Sequence, residues 1–279
     1  MGKVALEVKN LSVEFDVRGQ TIKAVNNVSW NVKKGETLAI VGESGSGKSV
    51  SALAILKLIP NPPGKITSGS IFFGGKNIVQ TSDSEIRDIR GKKISMIFQE
   101  PMTSLNPLMT IGKQISEVLD RHFRLSKKET YQKAKNILDL VQIPDSKRWL
   151  NGYPHEMSGG MRQRVMIAMA LVCEPTILIA DEPTTALDVS IQSQILDLIK
   201  KLTKERNLAV ILITHDMGVI SETTNRVAVM KNGNLVEIGP TKEILTKPKE
   251  IYTKALVSSV PPTNKKINRF KINEKEHKN

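Results

Sequence analysis

The sequence has a single cysteine, Cys173, few aromatic residues and no long apolar run. One cysteine can form neither an intrachain disulfide nor a cysteine-based zinc site, which indicates a reducing compartment. Aromatic residues make up 4% of the chain. This argues against single-stranded nucleic acid as a ligand, because proteins that bind it stack bases on exposed rings. The longest apolar run, Val165–Cys173, is far shorter than the roughly 20 residues of a membrane helix. We therefore expect a chain that acts at a membrane only through a partner.

Acidic residues are outnumbered by basic ones, 28 to 41, and the formal net charge is +13. Such a balance favours an anionic partner, which could be a nucleotide, a nucleic acid or an anionic membrane face. The bias is strongest after Pro261-Pro262, where six Lys and Arg residues stand against two Glu. We predict that residues 259–279 form a basic, mobile tail after one folded domain at residues 1–258.

Between its ends the chain alternates short apolar strands with helices, which is typical of a parallel α/β core. Turn glycines predict one hairpin around Gly74-Gly75, between Gly69–Phe73 and Asn77–Val79, and another at Asn232-Gly233. The predicted core strands are Thr37–Val41, Ile94–Phe98, Ile177–Ala180 and Ala209–Thr214, and the predicted helices are Ser49–Ile59, Met161–Cys173 and Ile191–Glu205.

Two segments depart from this alternation. Leu6–Phe15 and Ile22–Val32 alternate in polarity and are rich in β-branched residues, so we predict two antiparallel strands that are separate from the core. Ile111–Val141 is charged and has a helical period, which predicts an inserted α-helical lobe at about residues 102–156. The predicted fold class is α/β, with a parallel-sheet core, an antiparallel β subdomain and a helical lobe.

One segment matches the phosphate-binding pattern G-x-x-x-x-G-K-[ST] in full, between a predicted strand and a predicted helix. Its glycines allow a tight turn whose N–H groups face phosphate oxygens, and the helix N-terminus adds partial positive charge. Lys48 would reach the β- and γ-phosphates of ATP, and the Ser49 hydroxyl would bind Mg²⁺. A glycine-rich turn that merely precedes a lysine would not explain the flanking elements. The residues of this phosphate loop are Gly42-Glu43-Ser44-Gly45-Ser46-Gly47-Lys48-Ser49.

Two acids end the predicted strand Ile177–Ala180. The carboxyl end of a parallel strand is where α/β proteins bind their ligands. Asp181 is therefore suited to the Mg²⁺ shell, and Glu182 to polarising a water that attacks phosphate. A strand that ends in two acids could also simply enter a solvated loop, and it is the phosphate loop elsewhere in the chain that favours the catalytic hypothesis.

Further short segments complete a fixed order along the chain, in which the two acids stand between the second segment and the third. They are Gln99 after a strand, Met157-Ser158-Gly159-Gly160-Met161, Ala186-Leu187-Asp188, and His215 at the end of a strand. With the phosphate loop and the two acids, this order resembles the ATP-binding subunit of an ABC transporter over Leu6–Leu256. Met157–Val189 and Tyr252–Leu256 resemble the oligopeptide/dipeptide importer branch in particular.

The resemblance implies a role for each of these residues. Ser158, Gly159 and Gly160 would form a signature loop that reaches the γ-phosphate held by a second ATP-binding chain, and Asp188 would contact that chain. Gln99 would sense Mg²⁺, the attacking water and the membrane partner. His215 would hold the γ-phosphate and orient Glu182. Phe15, the one aromatic residue in Leu11–Asn27, would stack on adenine.

The sequence departs from the family at two points. Met161 stands where the signature usually ends in Gln, although members of the peptide branch also have Met there, so only a polar contact is in doubt. In subunits of the peptide branch, an extension that contains cysteine often follows the segment that corresponds to Tyr252–Leu256. Here a basic tail without cysteine follows it. We therefore expect no metal cluster in that tail.

The resemblance also implies the partners. They are a second, related ATP-binding subunit, two membrane-spanning permease subunits and, indirectly, an extracytoplasmic solute-binding protein, with this chain peripheral on the cytoplasmic face. Importers of peptides, nickel chelates and glutathione share such a motor. A soluble ABC-type ATPase acting on ribosomes or DNA is the alternative from another class. One phosphate loop, and a Gln99-to-Ser158 segment too short for a long coiled coil, argue against it, so no nucleic acid is expected. A P-loop kinase would leave the signature and His215 unexplained.

Overall fold

The computed structural model describes residues 2–99, 104–184 and 189–259. Its strands are β1 Val4–Val17, β2 Gln20–Lys33, β3 Thr37–Val41, β4 Gly64–Phe73, β5 Lys76–Asn77, β6 Ile94–Ile97, β7 Ile177–Asp181, β8 Ala209–Ile213, β9 Arg226–Lys231 and β10 Asn234–Pro240. The helices within the described ranges are α1 Lys48–Ile55, α2 Asp83–Ile89, α3 Ile111–His122, α4 Lys127–Leu140, α5 Ser146–Trp149, α6 Gly159–Leu171, α7 Val189–Arg206, α8 Met217–Thr223, α9 Thr241–Thr246 and α10 Ile251–Ser258.

A six-stranded sheet in the order β10-β9-β3-β8-β7-β6 forms the core. All of its neighbouring pairs are parallel except β9 with β10, which form the predicted hairpin at Asn232-Gly233. Every residue of β3, β7 and β8 is buried, as expected for strands covered by helices on both faces. The sequence prediction of a parallel core is therefore confirmed, with β3 matching to the residue.

The second sheet is antiparallel, in the order β2-β1-β4-β5. It contains the two early strands predicted from their alternating polarity, and it also takes up β4 and β5 from beyond the phosphate loop. A core cluster that includes Val13, Trp30, Ile55 and Ile71 lies where this sheet, α1 and the core sheet meet. The antiparallel sheet is thus joined to the nucleotide-binding part through shared packing.

Helices α3, α4 and α5 form the insertion between β6 and β7, within the predicted lobe. α4 begins with a capping box in which Ser126 and Glu129 each bind the other's backbone N–H, an arrangement that stabilises a helix start. The apolar faces of α3 and α4 join one cluster with α6 and α7. Among the described residues, none of the helices has both the length and the apolar character that a membrane span requires.

Some element boundaries were predicted wrongly. Asn77–Val79 is not a strand, because β5 ends at Asn77, whose side chain accepts a hydrogen bond from the Val79 N–H and opens a short 3₁₀ turn. α1 ends at Ile55 rather than Ile59, and Lys57 adopts a left-handed conformation just beyond it. α6 begins at Gly159 rather than Met161, because Ser158 caps it by accepting a hydrogen bond from the Met161 N–H.

Candidate functional site

The predicted site residues converge on one edge of the core sheet. The phosphate loop follows β3, and Gln99 follows β6. Asp181 is the last residue of β7, Glu182 comes directly after it, and His215 follows β8. Since these four strands are parallel, their carboxyl ends lie at the same edge, where α/β folds bind ligands. The fold therefore brings together residues that are far apart in the sequence.

Two glycines of the phosphate loop are required by their surroundings. Gly42 and Gly47 have φ angles of 148° and 96°, in the region that disfavours side chains. A Cβ atom on Gly42 would lie 2.1 Å from the carbonyl oxygen of Met230, and one on Gly47 would lie 2.3 Å from that of Ala24. The loop is thus pressed between β2 and the end of β9, which leaves no room for side chains at these two positions.

Lys48 is buried inside the phosphate loop. Its ammonium group donates to the carbonyl oxygens of Gly42 and Glu43, both at 2.8 Å, and lies 3.4 Å from the Ser46 hydroxyl. Burial lowers the pKa of Lys48, while the nearby carboxylates of Glu182 and Asp181 act in the opposite direction. The side chain is therefore a cation held at the mouth of the loop, where an anionic ligand would compensate the cost of its burial.

Ser49 and Asp181 form the second part of the site. The Ser49 hydroxyl donates to Oδ1 of Asp181 at 3.1 Å. Burial raises the pKa of Asp181, the hydrogen bond from Ser49 opposes the rise, and the charge of Glu182 adds to it. A buried carboxylate beside a hydroxyl is a site that a hard cation would stabilise. The predicted Mg²⁺ ligands Ser49 and Asp181 therefore fit that ion.

The described residues contain no cluster of three or more His, Cys, Asp or Glu side chains that could hold a metal. Ser49 and Asp181 supply only two ligand side chains. Mg²⁺ commonly takes one or two protein ligands and completes its octahedron with water and substrate phosphates. The two-residue site therefore suits Mg²⁺ that arrives with a nucleotide.

Glu182 is held from two sides. Its Oε2 accepts a hydrogen bond from the Gln99 amide at 2.8 Å, and its Oε1 lies 3.1 Å from Nδ1 of His215. Its backbone N–H donates to the carbonyl of Ile213, and its φ angle is 46°, which is uncommon for a residue with a side chain. The three predicted catalytic residues thus form one connected group with a fixed carboxylate at its centre.

The signature residues lie at the start of α6. A Cβ on Gly160 would lie 2.8 Å from Cδ1 of Ile191, so Gly160 allows α6 and α7 to approach closely. A Cβ on Gly159 would meet nothing within 4 Å, which leaves that backbone facing open space. In the described part of the chain, the hydrogen bonds do not join Ser158, Gly159 or Gly160 to the phosphate loop. The fourth predicted contact residue toward a second chain, Asp188, lies outside the described residues.

Phe15 lies on β1, opposite Ile22 of β2 and Gly64 of β4. A Cβ on Gly64 would be 2.6 Å from the Phe15 ring, so the ring packs over a strand position that has no side chain. Ile22 is 51% exposed and precedes Ala24, whose carbonyl abuts Gly47. Directly opposite residues in an antiparallel pair share a face, and Phe15 and Ile22 therefore form an apolar surface near the phosphate loop.

Three contacts at the site were not predicted from the sequence. Ile22 adds an exposed apolar side chain beside Phe15, and its exposure at the end of an alternating strand was the available signal. The amide of the buried Gln163 donates to the carbonyl of Pro183, which joins α6 to the residues after Glu182. The hydroxyl of Tyr252 accepts a hydrogen bond from the N–H of Glu43, a residue 209 positions away.

Comparison with protein families gives two matches along the chain. Residues 25–185 match the family described as ABC transporter. Residues 236–279 match the family described as the oligopeptide/dipeptide transporter C-terminal region. The second match includes Tyr252 and the whole of the predicted basic tail, whose residues 260–279 lie outside the described part of the structure.

Similar curated proteins are transport ATP-binding proteins. The chain is 54% identical over 256 residues to the oligopeptide transport ATP-binding protein of Bacillus subtilis, covering 92% of this chain and 72% of that one. It is also 54% identical to the dipeptide transport ATP-binding protein of the same organism, covering 92% and 76%. Identity to the glutathione import ATP-binding protein of Salmonella choleraesuis is 52% over 261 residues, covering 92% of this chain and 42% of that protein.

Solved structures of the same fold confirm the predicted fold class. A dimeric ATP-binding cassette in a post-hydrolysis state, bound to ADP and Pi, superimposes with a TM-score of 0.76 at 32% identity. The match covers 85% of this chain and 98% of that one. A subunit of an ABC transporter complex from Clostridium perfringens gives a TM-score of 0.75 at 29% identity, covering 88% and 92%.

Proposed function

This chain belongs to the ABC transporter family, as one of its ATP-binding, ATP-hydrolysing subunits, and from that premise we propose that it powers an importer of oligopeptides or dipeptides. The observation that carries the ATPase part is the group formed by Lys48, Ser49, Asp181 and Glu182 at one sheet edge. The peptide part is supported by the match of residues 236–279 to a peptide-transporter region and by the two Bacillus relatives.

ATP binds at the phosphate loop. The backbone N–H groups of the loop and the N-terminus of α1 face the phosphates, and Lys48 neutralises charge on the β- and γ-phosphates. To do so its ammonium turns from the carbonyls of Gly42 and Glu43, which it contacts at 2.8 Å, toward the nucleotide. Adenine stacks on the surface made by Phe15 and Ile22, whose apolar atoms are partly exposed.

Ser49 and Asp181 would hold Mg²⁺, with Gln99 as a third candidate ligand. The ion would supply neutralisation of the negative charge on the phosphates. The hydrogen bond between Ser49 and Asp181 at 3.1 Å keeps the two oxygens next to each other. Asp181 is buried and Ser49 is half-buried, which limits how much bulk water reaches them.

Glu182 is the residue that polarises the attacking water, for in-line displacement at the γ-phosphate. Gln99 and His215 orient its carboxylate through contacts of 2.8 and 3.1 Å. His215 is 66% exposed at its side chain, so it can also reach a γ-phosphate from the open side of the site. This division leaves the proton acceptor role to Glu182 alone and gives the other two side chains a positioning role.

A second ATP-binding chain completes the site. Gly159 at the start of α6 presents exposed backbone, and a helix N-terminus attracts anions. We assign Ser158, Gly159 and Gly160 to the γ-phosphate bound by that second chain, and Asp188 to the contact between the two chains. The dimeric state of the solved cassette bound to ADP and Pi supports this arrangement. A related chain, rather than a second copy, is the proposed partner.

This chain docks on permease subunits at the cytoplasmic face of the membrane. An extracytoplasmic solute-binding protein docks on the same permease subunits from the other side. Phe98, which precedes Gln99, is 43% exposed, and Leu108 is 86% exposed. Large exposed apolar side chains near a catalytic segment suit a protein partner. Movement of the permease against these side chains would shift Gln99, and it would thereby change the position of the Glu182 carboxylate.

Glutathione import is the second candidate, because identity to the Salmonella glutathione import protein is 52%. The solute does not contact this chain, so the motor itself carries no binding site for it. Nickel-chelate import fits the same motor without any specific observation that favours it.

Co-purification and uptake test this proposal. The tagged chain is extracted with its membranes in mild detergent, and we expect two membrane-spanning subunits and a second ATP-binding chain. Cells lacking the chain should lose uptake of labelled di- and oligopeptides, and the wild-type chain but not Glu182→Gln should restore it. Restored uptake of glutathione alone would select the second candidate. Ribosomes or DNA-repair proteins without a membrane subunit would refute the transport function.

A further inference from the structure

We propose that Tyr252 is a positioning residue for the phosphate loop, through which the C-terminal helix α10 keeps that loop ready for nucleotide. The proposal rests on the proposed function in one respect, that the loop binds MgATP. Its central observation is that the Tyr252 hydroxyl accepts a hydrogen bond from the N–H of Glu43 at 3.2 Å. This contact joins the last described helix of the chain to the second residue of the loop.

Glu43 is held on both sides of its backbone. Tyr252 binds its N–H, and the ammonium of Lys48 binds its carbonyl oxygen at 2.8 Å. When Lys48 turns toward phosphate, the carbonyl keeps only the hydrogen bond from the Ser46 N–H at 3.2 Å, which lies within the loop itself. The Tyr252 contact comes from outside the loop, is independent of Lys48 and remains. Tyr252 therefore keeps the first turn of the loop in place while Lys48 changes partners.

The Tyr252 side chain is itself fixed. Its ring lies 4.5 Å below the ammonium of Lys231, a cation–π geometry, and it packs against a core cluster that includes Val41 and Val229. Burial raises the pKa of Tyr252, and the Glu43 carboxylate beside it adds to the rise. The hydroxyl therefore stays neutral over the physiological range and can accept from the N–H.

The start of α10 is fixed as well. The Glu237 carboxylate of β10 accepts hydrogen bonds from the N–H groups of Lys249 and Glu250, at 3.0 and 3.2 Å. Glu250 is the N-cap residue of α10, and its N–H is one of the donors that the helix itself leaves unsatisfied. The same hairpin also contacts the loop directly, because the N–H of Gly233 donates to the carbonyl of Ser46 at 3.1 Å. The loop is thus held at Glu43 and at Ser46 by one C-terminal unit, β9 to α10.

The test separates positioning from plain structural support. Tyr252→Phe keeps the ring and removes the hydroxyl, and Tyr131→Phe, at an exposed tyrosine of α4, is the matched control. In titration calorimetry of the full chain with MgATP, we expect Tyr252→Phe to weaken binding by about three- to tenfold, the effect of one lost hydrogen bond. In the assembled transporter, KM for ATP should rise by a similar factor with kcat nearly unchanged. Tyr131→Phe should change neither quantity.

A second variant examines the helix anchor. Glu237→Ala releases the start of α10 without touching the loop, and we expect it to weaken MgATP binding in the same direction. Unchanged MgATP affinity in Tyr252→Phe would overturn the proposal, and so would a lowered melting temperature with unchanged affinity. Because binding is measured without hydrolysis or transport, this result is distinct from a failure of the proposed function, which would appear as a wild-type chain that does not bind MgATP at all.

Discussion

The hydroxyl of Ser49 and the carboxylate of Asp181 are joined by a 3.1 Å hydrogen bond across 132 positions of sequence. One residue opens the helix after β3, and the other closes β7. This hydrogen bond stabilises the ionised form of Asp181, as a cation would, but more weakly. It does not offset the cost of burying the charge, because the pKa of Asp181 remains raised. The site therefore holds a carboxylate that is costly to keep ionised until a ligand arrives.

Asp181→Asn should raise the stability of the nucleotide-free chain while abolishing ATPase activity. A raised pKa means that ionised Asp181 is less favourable in the folded chain than in the unfolded one. Its cost therefore grows as pH rises from the ordinary pKa of an aspartate to the raised one, and it is complete above the raised pKa. Asn cannot ionise, and we expect the melting temperature to rise by on the order of 2 °C. Calorimetric melting at neutral pH measures this shift.

Asp139→Asn is the control variant, for which we expect a change of melting temperature in the opposite direction. Hydrogen bonds from Lys135 and Ser146 lower the pKa of Asp139, so its ionised form is favoured in the folded chain, and its loss should lower the melting temperature slightly. A melting temperature that falls in both variants would contradict our account of Asp181.

Glu182→Gln should leave MgATP binding intact and reduce turnover by about hundredfold or more, because it removes only the carboxylate that we propose to polarise the attacking water. The Gln side chain can still contact Gln99 and His215, so the geometry of the site is kept. Steady-state ATPase and ATP binding are measured on the assembled transporter. Normal turnover in this variant would remove Glu182 from the catalytic role.

Lys48→Ala should weaken MgATP binding itself, by about ten- to hundredfold, because it removes the charge that faces the phosphates. It also removes the hydrogen bonds that Lys48 donates to the carbonyls of Gly42 and Glu43, although the Glu43 carbonyl keeps the one from the Ser46 N–H. Calorimetry compares it with Lys76→Ala, whose ammonium forms a surface ion pair with Glu85 and should not matter for binding. Equal affinities in the two variants would contradict the assignment.

His215→Ala should lower kcat without lowering the melting temperature. Its contact with Glu182 is exposed on the histidine side, and exposed pairs contribute little to stability. Its proposed roles, orienting Glu182 and reaching the γ-phosphate, act only during turnover. Melting and ATPase measurements on the same preparation separate these effects, and an unchanged kcat would refute the role.

Cys173 should react with iodoacetamide far more slowly in the folded chain than in denaturant. It is 6% exposed, and burial raises its pKa to about 11, which leaves almost no thiolate at mildly alkaline pH. We expect a difference of about hundredfold or more, measured by mass spectrometry on the single cysteine. Prompt labelling of the native chain would contradict the described packing of α6 and the residues after it.

The sequence predicted the parts of the site that depend on local pattern. The phosphate loop is recognisable from the spacing of its glycines between a strand and a helix. Gln99, Asp181, Glu182 and His215 were each predicted to lie at the end of a strand. β3 was predicted to the residue, because four consecutive apolar residues after Thr37, followed directly by the glycine of the phosphate loop, have few alternatives. Ser82 and Glu85 form a capping box at α2, a local signal from which that helix could also have been predicted.

Long-range contacts could not be predicted in the same way. Tyr252 belongs to a segment that resembles the peptide branch, yet nothing in it indicates that its hydroxyl meets Glu43. Phe15 lies against Gly64 only because β4 pairs with β1. That pairing joins segments that are far apart in the sequence, and no local pattern indicates it. The 3₁₀ turn after Asn77 results from one side-chain hydrogen bond that outweighs the β-branched composition of the segment.

The central position of β3 in the core sheet governs when the nucleotide site can form during synthesis. Both hydrogen-bonding neighbours of this strand, β8 and β9, come from the last third of the chain. The phosphate loop therefore leaves the ribosome long before the strands that secure it, whereas β1 and β2 can pair as soon as they emerge. Such distant pairing is slow. We therefore expect a nascent chain that ends after α7 not to bind nucleotide, although it contains every residue of the phosphate loop, because β8 and β9 are still missing from both sides of β3.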